Sequence, residues 1–113
     1  MVYDTAKRLA EELKASGEYL AFSEARERAT ENDTTRALIE EYHRLQIRAQ
    51  AAAVSGGENA ELMEKLRKIG ELLQFDAAAA AYLMAEYRLN RMLADVYKIL
   101  AEAVDIDLRA LEA

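Results

Sequence analysis

The apolar positions of this chain repeat with the period of a helix from end to end. Val2, Ala6, Leu9 and Leu13 are separated by steps of four, three and four, which sets them on one helical face. After an interruption at Ser16-Gly17, Tyr19, Phe22, Ala25 and Ala29 form a second stripe. Between residues 34 and 54 two stripes run side by side. One is Leu38, Tyr42, Leu45, Ala49 and Ala52; the other is Ile39, His43, Ile47, Ala51 and Val54. So wide an apolar arc belongs to a helix with more than one neighbour. Leu62, Leu66, Ile69 and Leu73 make a fourth seam. The fifth, through Ala78, Tyr82, Ala85, Leu89, Met92, Val96, Ile99 and Ala103, alternates steps of four and three over more than three heptads. That is the spacing of coiled-coil packing. Leu93, Tyr97, Leu100 and Val104 widen it towards its C-terminal half.

Short polar side chains set the boundaries. Asp4 is placed to cap a helix from Thr5, Asp33 (with Asn32 beside it) the third helix, Asn59 the fourth and Asp76 the fifth. Each offers an oxygen to backbone N–H groups that the first helical turn leaves unpaired. Gly56-Gly57 in "SGGEN" marks the clearest loop, since glycine ends a helix at low cost. The alanine run at 77–81 reads as the opening of a helix, because alanine is the strongest helix former and a flexible linker would be rich in Gly and Ser. The expectation is an all-α fold, a single helical domain over residues 1–113. Its five helices lie roughly at 5–15, 18–31, 34–54, 60–74 and 77–104, and "DIDLRALEA" follows as a tail. At about 1.5 Å per residue the fifth helix is about 40 Å long. The third and fifth helices carry more apolar surface than shorter neighbours cover, so the chain is expected to self-associate, most simply as a homodimer. Tyr82, Leu89, Met92, Val96 and Ile99 are the candidate self-association or partner face.

Composition narrows the classes of function. With no proline, 4 glycines and an abundance of Ala, Glu, Leu, Arg and Lys, helix is favoured nearly everywhere. The net charge of −6 repels phosphate backbones, which argues against direct nucleic-acid contact. Cysteine is absent, so thiolate nucleophiles, disulfides and thiolate-held metal are excluded. No apolar run has the length of a membrane span or the form of a signal peptide, and the expected location is cytoplasmic.

Chemical motifs are few. Glu40 and His43 stand three apart, the spacing used by di-iron helical bundles, but such a site needs two histidines and the chain has 1. A symmetric dimer would be required to supply the second, and an ordinary half-buried histidine is the simpler reading. Ser16, Ser23 and Ser55 lie outside any G-x-S-x-G turn. Gly56-Gly57 has no following Lys of the phosphate-loop type. Arg44 with Arg48, Lys65 with Lys68, and Arg88 with Arg91 form basic pairs interleaved with Glu, the pattern of solvated, ion-paired helix faces. An alternative reading uses Arg44, Arg48, Arg88 and Arg91 for nucleic acid; a weaker one places a metal enzyme at a dimer interface around Glu40 and His43. No cofactor is expected.

The N-terminal segment "YDTAKRLAEELKASGEYLAFSEARE" resembles the signature of the YlbF/YmcA family and its YheA-like relatives, through Tyr3-Asp4, Ala6, Leu9, Leu13, Ser16, Glu18-Tyr19, Phe22 and Ala25. The family tends to start its helices with Asp-Pro; here Asp33-Thr34 and Asp76-Ala77 stand in such places. "LIEEYHRLQIRAQ" and "YLMAEYRLNRMLADVYKIL" are similar to the family's central and C-terminal helices. The resemblance implies a self-associating helical bundle and a non-enzymatic cytoplasmic regulator. It would act through an unknown protein partner, in bacterial RNA processing or in competence, biofilm and sporulation control. Some members hold an iron–sulfur cluster through cysteines; this chain has none, so that property is not carried over.

Overall fold

The computed structural model describes residues 1–57 and 59–105, so the expected tail beyond Asp105 lies outside the described residues. Its five helices are α1 (Val2–Lys14), α2 (Gly17–Thr30), α3 (Asp33–Val54), α4 (Ala60–Gln74) and α5 (Ala77–Val104). Four of them begin where a side chain turns back on the backbone. Ser16 accepts from the Tyr19 amide, Asn32 from Thr35, Asn59 from Leu62, and Asp76 from both Ala78 and Ala79, all at 3.1 Å. Asn32 caps α3 in place of Asp33, which lies one residue inside the helix and pairs with Arg36 at 2.9 Å. Helix α1 departs further from expectation. It starts at Val2 with no side-chain cap, and the Thr5 amide bonds the Met1 carbonyl. Asp4 therefore sits within the first turn, where its charge suits the positive end of the helix. Asp105, in the left-handed conformation at φ 56°, terminates α5.

Two antiparallel pairs build the molecule. In the first, α2 runs against α5: the Phe22 and Tyr82 rings are 5.4 Å apart, and further along Ala25 and Arg28 face Ala77, Ala78 and Ala81. In the second, α3 and α4 form a hairpin that buries Leu45 and Leu62. The pairs join at one end, where the core gathers Ala29, Ile39, Leu73, Ala79 and Tyr82 from four helices. Phe22, Leu38, Tyr42, Ile69 and Leu83 pack around it. Alanine at 29, 79 and 85 lets the helix axes come close, since interaxial distance follows side-chain size.

The register of α5 differs from the heptad reading by one residue at its start. Ala79 is fully enclosed, whereas Ala78 is half-buried in a cleft facing α2. The buried spacing is Ala79, Tyr82, Ala85, because this half of α5 meets three helices rather than one partner along a seam. The second stripe of α3 is also only partly used: Ile39 is buried, His43 half-buried, and Ile47 and Val54 are exposed. The molecule measures 46 × 37 × 15 Å. Fifteen ångströms between Cα extremes is no more than two helices deep, given axes 8–10 Å apart.

Candidate protein-interaction surface

Two amphipathic segments remain largely outside the packed core. Helix α1 touches α2 and no other helix among the described residues. On its apolar stripe Val2 is exposed, and Leu9 and Leu13 are half-buried. The second segment is the distal half of α5. Leu89, Met92 and Val96 are half-buried there, while Tyr97, Ile99, Leu100 and Val104 are exposed, Ile99 at 66%. Of the five residues expected to form a contact face, Tyr82 is packed inside the molecule, 7% exposed against Phe22 and His43. The other four lie on one continuous side of α5, on the part that extends past α2.

The polar chemistry of the interior is structural in form. His43 on α3 reaches across to Glu86 on α5, with both carboxylate oxygens 3.1 Å from its Nε2, which donates to them. The Tyr82 hydroxyl is pushed up to about 12, first by burial and then by the neighbouring Glu86 carboxylate. His43 thus takes Glu86, not Glu40, as its acid, and Glu40 is exposed. No three His, Cys, Asp or Glu residues among those described are grouped to hold a metal ion. Asp76 ties two helix starts together: besides capping α5 it accepts from the hydroxyl of Thr35, a buried residue in the first turn of α3. These hydrogen bonds hold the Asp76 carboxyl below its ordinary range, the Thr35 bond most of all.

Two of the serines serve the backbone. Ser16 caps α2, and Ser55 donates to the Ala51 and Ala52 carbonyls at the end of α3. Arg44 pairs with Glu41 at 3.1 Å, Arg67 with Glu64 and Glu71, and Arg91 lies 3.5 Å from the Tyr87 hydroxyl. Of the basic pairs, Arg44 thus meets an acid on a solvated helix face, as does Lys65, 3.7 Å from Glu61.

One surface feature escaped the sequence reading. Phe75, at the corner between α4 and α5, is 89% exposed, with Leu72 exposed on the preceding turn. A phenylalanine standing immediately before an N-cap, off both neighbouring stripes, was the available signal. An open cleft of about 410 Å³ between α3, α4 and α5 is lined by Tyr42, Leu73, Leu83, Met84 and Tyr87.

The chain is similar to several known proteins. The family described as control of competence regulator ComK, YlbF/YmcA, matches residues 2–105. A UPF0342 protein of Symbiobacterium thermophilum is 42% identical, over 95% of this chain and 96% of its own length. One from Halothermothrix orenii is 32% identical, over 93% and 90%. Among solved structures, a protein of unknown function (DUF964) from Bacillus stearothermophilus superimposes with a TM-score of 0.77 at 18% identity, covering 92% of each chain. Bacillus subtilis RicA, crystallised in complex with RicF, gives 0.61 at 20% identity, covering 92% of this chain and 93% of that one. At those identities the likeness is one of fold.

Proposed function

The chain belongs to the YlbF/YmcA family, and from that premise we propose that it is a non-enzymatic regulator or adaptor that works by presenting helical faces to protein partners. The observation that carries the reading is the pair of uncovered apolar faces, on α1 and on distal α5, in a fold no more than two helices deep. Ser16 and Ser55 bond backbone groups at helix ends, and the one histidine is engaged with Glu86. The similar fold of RicA, a protein crystallised with a protein partner, supports the same direction. In this reading the protein is cytoplasmic and contributes to control of RNA processing or of development in a bacterium. It also self-associates, with Leu89, Met92, Val96 and Ile99 on the contact face. No helix among the described residues is long and apolar enough to cross a membrane.

The test is affinity purification of the tagged chain from its native host with quantitative mass spectrometry, beside an Ile99→Arg variant. A reproducible protein partner lost or weakened in the variant is expected. Recovery of no protein partner, or of one indifferent to Ile99→Arg and to a matching Leu9→Glu change, would count against the reading.

A further inference from the structure

The second apolar stripe of α3 loses its cover past the middle of the helix. Ile39 is buried and His43 half-buried, but Ile47 and Val54 are exposed. A stripe on α5 runs out in the same way, with Leu93 half-buried and Tyr97 exposed. Both stripes start from one joint. There Thr35 donates to Asp76, and further out His43 donates to Glu86, so the two helices leave the joint in the same direction. Beyond that second contact they stand apart. Gln46 and Gln50 on α3, with Tyr87 and Asn90 on α5, line an open cleft of about 340 Å³.

The spacing matches the two sides to each other. Counted from His43 and Glu86, steps of four, seven and eleven stay on one face of each helix, since eleven residues close three turns to within about 20°. Those steps set Ile47 level with Asn90, Gln50 with Leu93 and Val54 with Tyr97. None of these is charged, although charged residues make up 32% of the chain. The nearest charges point elsewhere. At about 100° per residue, Arg44 and Arg48 lie roughly 90° or more around α3 from the centre of its stripe, and Arg91, Asp95 and Lys98 roughly 100° or more around α5. No ionic group therefore stands between the two surfaces, and Ala53 and Ala94 beside them are small enough for the axes to approach.

The joint leaves room for a swing. Its apolar core of Ile39, Leu73 and Ala79 lies at one end of the cleft, and the outermost contact is a half-buried hydrogen bond, which tolerates a range of angles. We propose that the α3–α4 hairpin swings about this joint and closes on distal α5, with Gln50 meeting Leu93 and Val54 meeting Tyr97, and that the open form is one of two states. In the open state Gln46, Gln50 and Asn90 keep their water; in the closed state the apolar surface of Val54, Leu93 and Tyr97 is buried. These terms oppose each other and keep the two states close in free energy. Closure covers one side of α5 only. Leu89, Met92, Val96 and Ile99 lie on another side of the helix and stay uncovered in both states. A partner seated on the Tyr97 side therefore binds the open state alone. That consequence rests on the reading of the chain as an adaptor; the closure itself does not.

The chain has no cysteine, so two introduced thiols report closure without background. Val54→Cys with Tyr97→Cys replaces two exposed side chains, whose Cα atoms must come within about 7 Å for a disulfide to form. The control is Val54→Cys with Asp95→Cys, which puts the second thiol on the far side of α5. Each double variant is oxidised at low micromolar concentration and read on a non-reducing gel and by mass. The expected product of the first pair is a disulfide within one chain, still at 12.7 kDa. It should form about tenfold or more faster than in the control, and faster again in ammonium sulfate, which strengthens apolar burial. Spin labels at Arg48→Cys and Lys98→Cys give a second readout: two distances, the shorter of which Val54→Asp removes. Equal rates in the two thiol pairs, disulfides only between chains, or a single label distance indifferent to Val54→Asp would overturn the proposal. A host partner captured by a chain that shows no closure overturns the switch and leaves the adaptor reading standing. Closure in a chain that captures no partner supports the switch and counts against that reading alone.

Discussion

Replacing Asp76 tests how the two helical pairs are joined. Its carboxylate accepts from the Ala78 and Ala79 amides at 3.1 Å and from the Thr35 hydroxyl, so one side chain starts α5 and anchors the start of α3 against it. Asp76→Ala removes the cap, worth about 0.5–2 kcal/mol. It also leaves the buried Thr35 hydroxyl unpaired, at about 1–3 kcal/mol. Together these predict a loss of about 2–4 kcal/mol, read from urea unfolding followed by circular dichroism at 222 nm. Thr35→Val made in the Asp76→Ala background should cost far less than in the wild type, a coupling of about 1 kcal/mol or more. The sign of the pH effect follows from the lowered carboxyl pKa. Asp76 stabilises the fold above its unfolded value, ordinarily 3.8, and this contribution is lost as pH falls through the lower folded value. Acid unfolding of Asp76→Asn should accordingly be shallower than that of the wild type below about pH 4. An Asp76→Ala protein within about 0.5 kcal/mol of wild type, or strictly additive effects with Thr35→Val, would refute the reasoning.

Further substitutions separate the core from the contact faces. Ala79→Leu should cost about 1–3 kcal/mol by overfilling the α2–α5 contact, whereas Ala77→Leu, exposed at the open cleft between the same two helices, should stay within about 0.5 kcal/mol, both by denaturant titration. Leu45→Ala should lose about 2–5 kcal/mol, because its fully buried side chain fills the α3–α4 hairpin. Ile99→Arg should leave chemical stability of the chain within about 0.5 kcal/mol at dilution while lowering the molar mass measured by light scattering at micromolar concentration.

The helical class and the five-helix layout were legible because helical periodicity and N-caps are local signals. Asn59 and Asp76 cap as their positions suggested. The errors have local causes too. Asp4 looked like a cap, but the Met1 carbonyl and the terminal ammonium, 3.9 Å from Asp4, let α1 begin earlier. Within residues 77–81 every side chain is the same, so a pattern of apolar steps had nothing with which to choose Ala79 over Ala78. The pairings His43–Glu86 and Thr35–Asp76 join residues about forty apart, and no local spacing encodes them. For the proposed contact face, the stripe on α5 was visible in the sequence. Where α2 stops covering it was not, since that depends on how two helices of unequal length are aligned. Tyr82 and Ile99 share a stripe, yet one fills the core and the other faces solvent.

The central claim is that the apolar faces of α1 and distal α5 are contact surfaces, covered in the working protein. Multi-angle light scattering of the unmodified chain at micromolar concentration tests it most directly. The account predicts a species of about twice 12.7 kDa that Ile99→Arg dissociates; a single species of 12.7 kDa for the unmodified chain would contradict it.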